Sequence, residues 1–319
     1  MLRVIRPGLQ STLQGSPRIG TRHFGIPYSG PADAVSMALA NRLVGNPQDA
    51  TCLEITYGGF AASIEDAGSI AITGAVDRNL INGQSAAAHE TLTLQPGDTL
   101  EISPPRDGAR TYLAIRSGFQ AKTEFGSTST YLPAGFGGHE GRALIADDTL
   151  APCGDARLDA ILQTPLSLRP TLTGHFALRA CTSAETDLLA PQSLKALFGD
   201  TFIAGRQGTR MGVALTGHRL GLESDGMMKS APVFPGTIQC PTSGEPILLL
   251  CDAQTTGGYP RIASIARCDR HLLGQIRPGD SIRLLQRSLE AAAQDHAEKQ
   301  QLLDEWLGAP GKTGIGCLY

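Results

Sequence analysis

Residues 248–260 read LLLCDAQTTGGYP. Three leucines and Cys251 have the character of a core strand, and the run then stops in an acid, an amide, two hydroxyls, two glycines, a phenol and a proline. With 247–251 as a central strand, Asp252 emerges at its carboxyl end. Gln254, Thr255 and Thr256 then offer donors and acceptors on a backbone that Gly257-Gly258 let fold tightly, while Tyr259 supplies a planar wall and Pro260 stiffens the exit. A structural turn rarely needs so many functional groups in sequence, and polar groups on loops at the rim of a rigid scaffold are where binding resides. The stretch predicts a β scaffold that carries a ligand-facing loop.

The same alternation of short strand and tight turn recurs outward from it. Runs at 2–6, 52–56, 69–73, 99–102, 110–115, 176–180, 211–215 and 281–285 are mostly bounded by Gly, Pro, Asp or Ser. Thirty-eight glycines and 20 prolines beside 5% aromatic residues suit many short strands better than a helical bundle, so the fold class expected is mainly β with a few helices. One helix follows Ser29-Gly30-Pro31-Ala32-Asp33 and ends near Gly45. A second is expected from Thr182, where Thr182-Ser183-Ala184-Glu185 has capping-box spacing. A third, about 288–307, turns apolar at Leu302, Leu303, Trp306 and Leu307, an end expected to pack on its own chain. The length favours two domains. The phrases LQPGDTL (94–100) and IRPGDSI (276–282) hint that two halves share one architecture, and the segment 151–170, with Pro152, Gly154, Pro165 and Pro170, reads as a linker. The expected division is 1–150, 171–286 and a helical tail, 287–319.

A net charge of −3 gives no positive field to attract nucleic acid or an anionic membrane. Seven cysteines without CxxC spacing do not form a disulfide framework, the first residues lack a secretory pattern, and no run of eighteen apolar residues occurs. A cytoplasmic setting is the expectation. HExxH, paired-cysteine zinc spacing and Gly-x-Ser-x-Gly are all missing, so no metal is expected; the tail phrase 308–313 lacks the first glycine of a phosphate loop.

Three more loops are dense in glycine and polar groups. Arg22 to Asp33 leads into a helix N-terminus, where Ser29 and Asp33 either face an anion or carbonyl or cap the helix. Ser127 lies in Phe125-Gly126-Ser127-Thr128-Ser129-Thr130, whose hydroxyls suit a polar ligand or an ordinary turn. Arg206 and Arg210, close in sequence, either clamp a carboxylate or pair with structural acids.

Taken in order, Gly25-Ile26-Pro27, Gly30-Pro31-Ala32-Asp33, Ala40-Asn41-Arg42-Leu43-Val44-Gly45-Asn46, Leu53-Glu54-Ile55-Thr56, Arg210-Met211-Gly212, Pro235-Gly236-Thr237-Ile238-Gln239 and the 252–260 loop resemble the carboxyltransferase-related family. That family includes the C-type subunit of 5-oxoprolinase, the KipA regulator, proteins labelled allophanate hydrolase subunit 2, and part of urea carboxylase. The resemblance implies two cyclophilin-like β-barrel lobes with a ligand cleft between them. It implies two partners, a KipI-like B-type subunit and an A-type (LamB/YcsF-like) subunit, with ATP used by the assembled complex to open 5-oxoproline to glutamate. The alternatives it leaves are carboxyl transfer from carboxybiotin to urea or another amide, and a non-catalytic KipA-like regulator. No ATP motif and no biotinyl-lysine segment is found in this chain. By the same resemblance, Arg210, Gln239, Asp252, Gln254, Thr255, Thr256 and Tyr259 contact a small polar amide or carboxylate, with Arg210 on the carboxylate; no residue is assigned as base or nucleophile. Two departures, Gln14-Gly15-Ser16-Pro17-Arg18-Ile19-Gly20 for Gln-Asp-x-Gly-Arg-x-Gly and Ala180-Cys181-Thr182-Ser183-Ala184-Glu185 where Gly-Pro-Glu is usual, leave the substrate open.

Overall fold

The computed structural model describes residues 1–155, 157–158, 160–223 and 228–308. The chain divides into two compact units. The first comprises Met1–Arg18, Ser29–Leu172 and the end of the last helix from Leu303; the second comprises Ile19–Tyr28 and Thr173–Leu302. Segment 151–170 thus counts with the first unit and 19–28 with the second.

In the first unit a six-stranded antiparallel sheet runs Thr149–Leu150, Leu2–Pro7, Phe60–Ile64, Thr99–Ile102, Asn79–Ile81, Gln84–Ala86. A five-stranded antiparallel sheet runs Gln10–Gln14, Cys52–Thr56, Arg110–Ile115, Gly68–Gly74, Thr91–Leu94. Leu2, Val4, Phe60 and Leu100 from one sheet meet Leu53, Ile55, Ile72 and Leu113 from the other in a single core. The central strands of the second sheet are buried at every position. Their other face, with Cys52, Ala71, Tyr112 and Ala114, packs under Met37, Ala40 and Leu43 of helix α1, Ala34–Leu43. Two-sided burial is why these strands do not alternate apolar and exposed polar positions; their polar residues, among them Glu54 and Arg110, are buried too. Asp33 caps α1, accepting from Ser36 N at 2.9 Å and from Ser36 Oγ at 2.6 Å.

The second unit is a closed seven-stranded barrel in the order His175–Thr182, Arg261–Ile265, Thr237–Gln239, Ile247–Leu249, Gly212–Thr216, Thr201–Ala204, Ser281–Gln286. Its seam is the parallel pairing of the first and last of these strands. Closure leaves no open sheet edge. Leu178, Phe202, Leu215, Ile238, Leu248 and Leu284 fill the interior.

The mainly β expectation holds, and strands form at all nine predicted places. The first lobe arranges its strands as two sheets around one core, whereas the second closes. The PGD turns match in detail: Gln95 N donates to Asp98 Oδ2 and Arg277 N to Asp280 Oδ2, both at 2.7 Å, over glycines at φ 91° and 92°. The helix expected from Thr182 is corrected. The strand continues through Thr182, Thr186–Leu188 forms a 3-10 turn, and helix α2 occupies Pro191–Gly199. The supposed capping groups are engaged elsewhere: Ser183 N donates to Thr186 Oγ1 at 2.7 Å, and Glu185 accepts from Arg261. Helix α3 spans Leu289–Leu307. Its end packs as expected, with Leu303 and Leu307 buried and Trp306 against the cluster under α1, where Arg42 Nε donates to Trp306 O at 3.0 Å.

Asp148 closes the turn before the strand Thr149–Leu150, accepting two bonds from Arg142 at 2.7 and 2.8 Å and one from Ile145 N at 2.8 Å. The Arg142 hydrogen bonds hold its carboxyl down at about 2 despite burial. A carboxylate depressed on folding stabilises fully above its unfolded pKa, about 4, and stops doing so as pH falls through the folded value. Asp148→Asn is expected to flatten the fall in unfolding midpoint between about pH 4 and about pH 2, read by chemical denaturation across that range; an unchanged acid limb refutes the assignment.

Candidate functional site

The quoted loop leaves the barrel strand Ile247–Leu249 and returns into Arg261–Ile265. Between them Thr256–Gly257 pairs with Ala231–Pro232, which holds the loop as a short two-stranded arm. Gln239, buried on the neighbouring barrel strand, fastens this arm from below. Its Nε2 donates to Tyr259 O at 3.1 Å, and its Oε1 accepts from Gln254 Nε2 at 3.2 Å. A Cβ at position 257 would stand 2.6 Å from Gln239 Nε2. Glycine at 257 is therefore the residue that lets the arm close on this amide. Asp252 is buried, Gln254 and Thr255 are half-buried, and Thr256 and Tyr259 are exposed.

Three guanidinium groups are bonded into the loop and its flanks. Arg210 Nε donates to Asp252 Oδ2 at 2.8 Å and Nη2 to Oδ1 at 3.2 Å, an ion pair 6% and 3% exposed. Asp252 N also donates to Arg210 O at 2.9 Å, so side chains and backbone tie the two turns together. Arg261 holds Glu185 through Nε at 2.7 Å and Nη2 at 2.6 Å. Those hydrogen bonds raise the pKa of Arg261 and lower that of Glu185. Arg22, which carries no signal in the sequence, donates through Nη2 to Val233 O and, at 3.0 Å, to Thr255 O. Its guanidinium lies 4.5 Å from the Phe234 ring centroid and 4.9 Å from that of Tyr28. Burial lowers its pKa from the ordinary value. The expected contact residues are thus linked in two bonded groups within the second unit, Arg210 with Asp252 and Gln239 with Gln254 and Tyr259, while Thr255 is held through its carbonyl by Arg22.

The second set of residues is divided between the two units. Arg206 is exposed in the second unit. Ser29, Asp33 and Ser127 lie in the first. Asp33 serves as the α1 cap, and Ser127 Oγ donates to Ser16 O while accepting from Ser129 N at 3.0 Å. Ser29 is buried at φ 52° with no hydrogen bond to its hydroxyl. What the motifs around it build is a buried polar network. Glu54 Oε2 accepts from Ala32 N at 2.9 Å and from the Tyr112 hydroxyl at 2.7 Å, Tyr112 in turn accepts from Asp33 N at 2.8 Å, and Arg110 Nε lies 3.5 Å from Glu54 Oε1. Burial, then the Glu54 and Asp33 charges, keep the Tyr112 hydroxyl protonated well above its usual range. Among the described residues no cluster of His, Cys, Asp or Glu is arranged to hold a metal ion, and no helix is long and apolar enough to cross a membrane.

Proteins of known sequence and structure share this plan along nearly the whole chain. The chain is 35% identical over 305 residues to the C-type subunit of the 5-oxoprolinase of Escherichia coli (strain K12), covering 96% of this chain and 97% of that protein. It is 30% identical to the urea amidolyase of Saccharomyces cerevisiae over 91% of this chain and 17% of that protein. The crystal structure of the K. lactis urea amidolyase superposes with a TM-score of 0.88 at 27% identity, over 97% of this chain and 20% of that one. Residues 24–286 match the family described as carboxyltransferase domain, subdomain A and B, and the chain belongs to that family.

Proposed function

We propose that this chain is the C-type subunit of an ATP-dependent 5-oxoprolinase, working in the cytoplasm with a KipI-like B-type subunit and an A-type, LamB/YcsF-like subunit. The observation that carries this reading is the end-to-end correspondence with a separate subunit of that kind, 96% of one chain against 97% of the other. In this reading the loop at Asp252–Tyr259 receives the lactam. Ring opening passes charge onto the amide oxygen, and preorganised donors in a site shielded from water stabilise such charge without reorganising. The side chains of Gln254, Thr255 and Thr256 would serve as donors and acceptors, Gln239 would keep them in place, and Tyr259 would line the wall. ATP would be used by the assembled complex, whose other subunits supply its site.

The test is co-expression of the three proteins and measurement of ATP-dependent glutamate formation from 5-oxoproline. Activity is expected only with all three present. Gln239→Ala is expected to lower kcat/KM by roughly tenfold to a hundredfold, the loss that follows when one hydrogen-bonded support of a site goes. Three folded subunits that yield no glutamate would refute the proposal. The likeness to urea amidolyase favours a second reading, carboxyl transfer from carboxybiotin to urea or another amide. It predicts carboxylation only when a biotin carboxylase and a biotinyl carrier are added. A KipA-like regulator would instead bind the KipI-like protein with no turnover by the assembly.

A further inference from the structure

The charges around the loop leave one group unanswered. Of the three guanidinium groups bonded to it, Arg210 is matched by Asp252 and Arg261 by Glu185. Arg22 has no carboxylate partner among the described residues: its Nη2 bonds are to two backbone carbonyls, and its Nη1 is buried without a hydrogen bond. The Tyr28 and Phe234 rings beside the group and the two carbonyls that it bonds hold the cation without neutralising it. A guanidinium keeps its charge in such surroundings, and its field acts on the loop to which it is bonded.

The same contacts fix the loop's shape. Thr255 O accepts from Arg22 and from Val233 N, the latter at 3.1 Å, so Arg22 pins the middle of the ligand loop to the Ala231–Pro232 arm. We infer that Arg22 is a positioning and charge-selecting residue for the Asp252–Tyr259 site, one that makes the site prefer an anionic, carboxylate-bearing ligand to its uncharged counterpart. Arg22 acts through the loop: its Nη2 is taken up by the Val233 and Thr255 carbonyls, and its Nη1 is closed off from solvent. The identity of that carboxylate as 5-oxoproline rests on the function proposed above; the preference for negative charge does not.

The experiment has two parts. Calorimetric titration of the full chain, alone and with its two partner proteins, with 5-oxoproline, acetate and bicarbonate, and with the uncharged lactam 2-pyrrolidinone, measures the preference directly. The wild type is expected to bind at least one of the carboxylates about tenfold or more tightly than 2-pyrrolidinone. Arg22→Met, which keeps length and apolar bulk, is expected to bring that ratio near one, whereas Arg22→Lys, which keeps the charge, retains most of it. A thermal melt of each variant shows that the fold is present, and a role confined to folding moves the melt without moving the ratio in folded protein. Turnover in the three-protein assay then gives a rise in KM for 5-oxoproline on Arg22→Met larger than the fall in kcat. A folded Arg22→Met that keeps the wild-type ratio overturns the inference, as does a wild type that binds no carboxylate better than 2-pyrrolidinone. An Arg22-dependent carboxylate preference without glutamate formation removes the 5-oxoprolinase reading and leaves this one standing.

Discussion

Asp252→Ala is expected to cost the fold about 3–5 kcal/mol and to abolish activity of the assembled complex in the same stroke. Asp252 and Arg210 are both almost wholly buried and share two side-chain hydrogen bonds and a backbone one. Removing one member of a buried ion pair takes away the Coulomb attraction while the remaining charge still bears its desolvation cost, which is why such single deletions are costly even where the pair's net worth is small. The measurement is urea unfolding of wild type and variant, with the double substitution Arg210→Met/Asp252→Leu alongside. The double variant is expected to regain much of the stability but none of the function, since the apolar pair packs and the backbone bond remains while the charged groups of the two turns are gone. A single Asp252→Ala variant that unfolds within about 1 kcal/mol of wild type would refute the account.

Glu54→Ala is the second large effect, expected at about 3–5 kcal/mol in the first unit. The carboxylate is 1% exposed and is bonded to a backbone amide and a phenol with a guanidinium 3.5 Å away. Its loss strands the Ala32 N–H and leaves Tyr112 to donate nowhere at that edge, each a desolvation penalty of its own. Glu54→Gln keeps an acceptor for Ala32 and Tyr112 but not the charge facing Arg110, so it is expected to fall between wild type and Glu54→Ala. Equal losses in both variants would show that the acceptor role of Glu54 is immaterial.

How far the sequence discloses this molecule depends on what each residue is bonded to. Strands such as Arg110–Ile115 are legible because burial on both faces fills most of their positions with apolar and β-branched residues, here Thr111, Tyr112, Leu113, Ala114 and Ile115. Gln10–Gln14, with the sequence QSTLQ, is not, although four of its five residues are buried. Its polar side chains find partners inside the protein, as when Gln14 Nε2 donates to Thr12 Oγ1 at 3.0 Å and Ser11 Oγ to Pro7 O at 2.6 Å, and composition cannot show that. The Asp252–Tyr259 loop stands out because its functional groups are side chains placed in a row. Arg22 does not, because one of its acceptors, Thr255 O, is a backbone carbonyl 233 positions away that any residue would supply. Asp33 reads correctly as a cap among the alternatives weighed for it, whereas Glu185 imitates one: capping-box spacing is a local signal, and Arg261, 76 positions on, overrides it.

Residues 19–28 are counted with the barrel although the stretches before and after them belong to the other body, and the final helix changes allegiance at Leu303. The molecule is therefore stitched twice. Severing the gene near position 172 would give a downstream fragment missing Arg22 and an upstream fragment missing the Trp306 lid under α1, so neither product is a finished protein. Natural or engineered fission of this chain should succeed only where the loose ends travel with the body they serve.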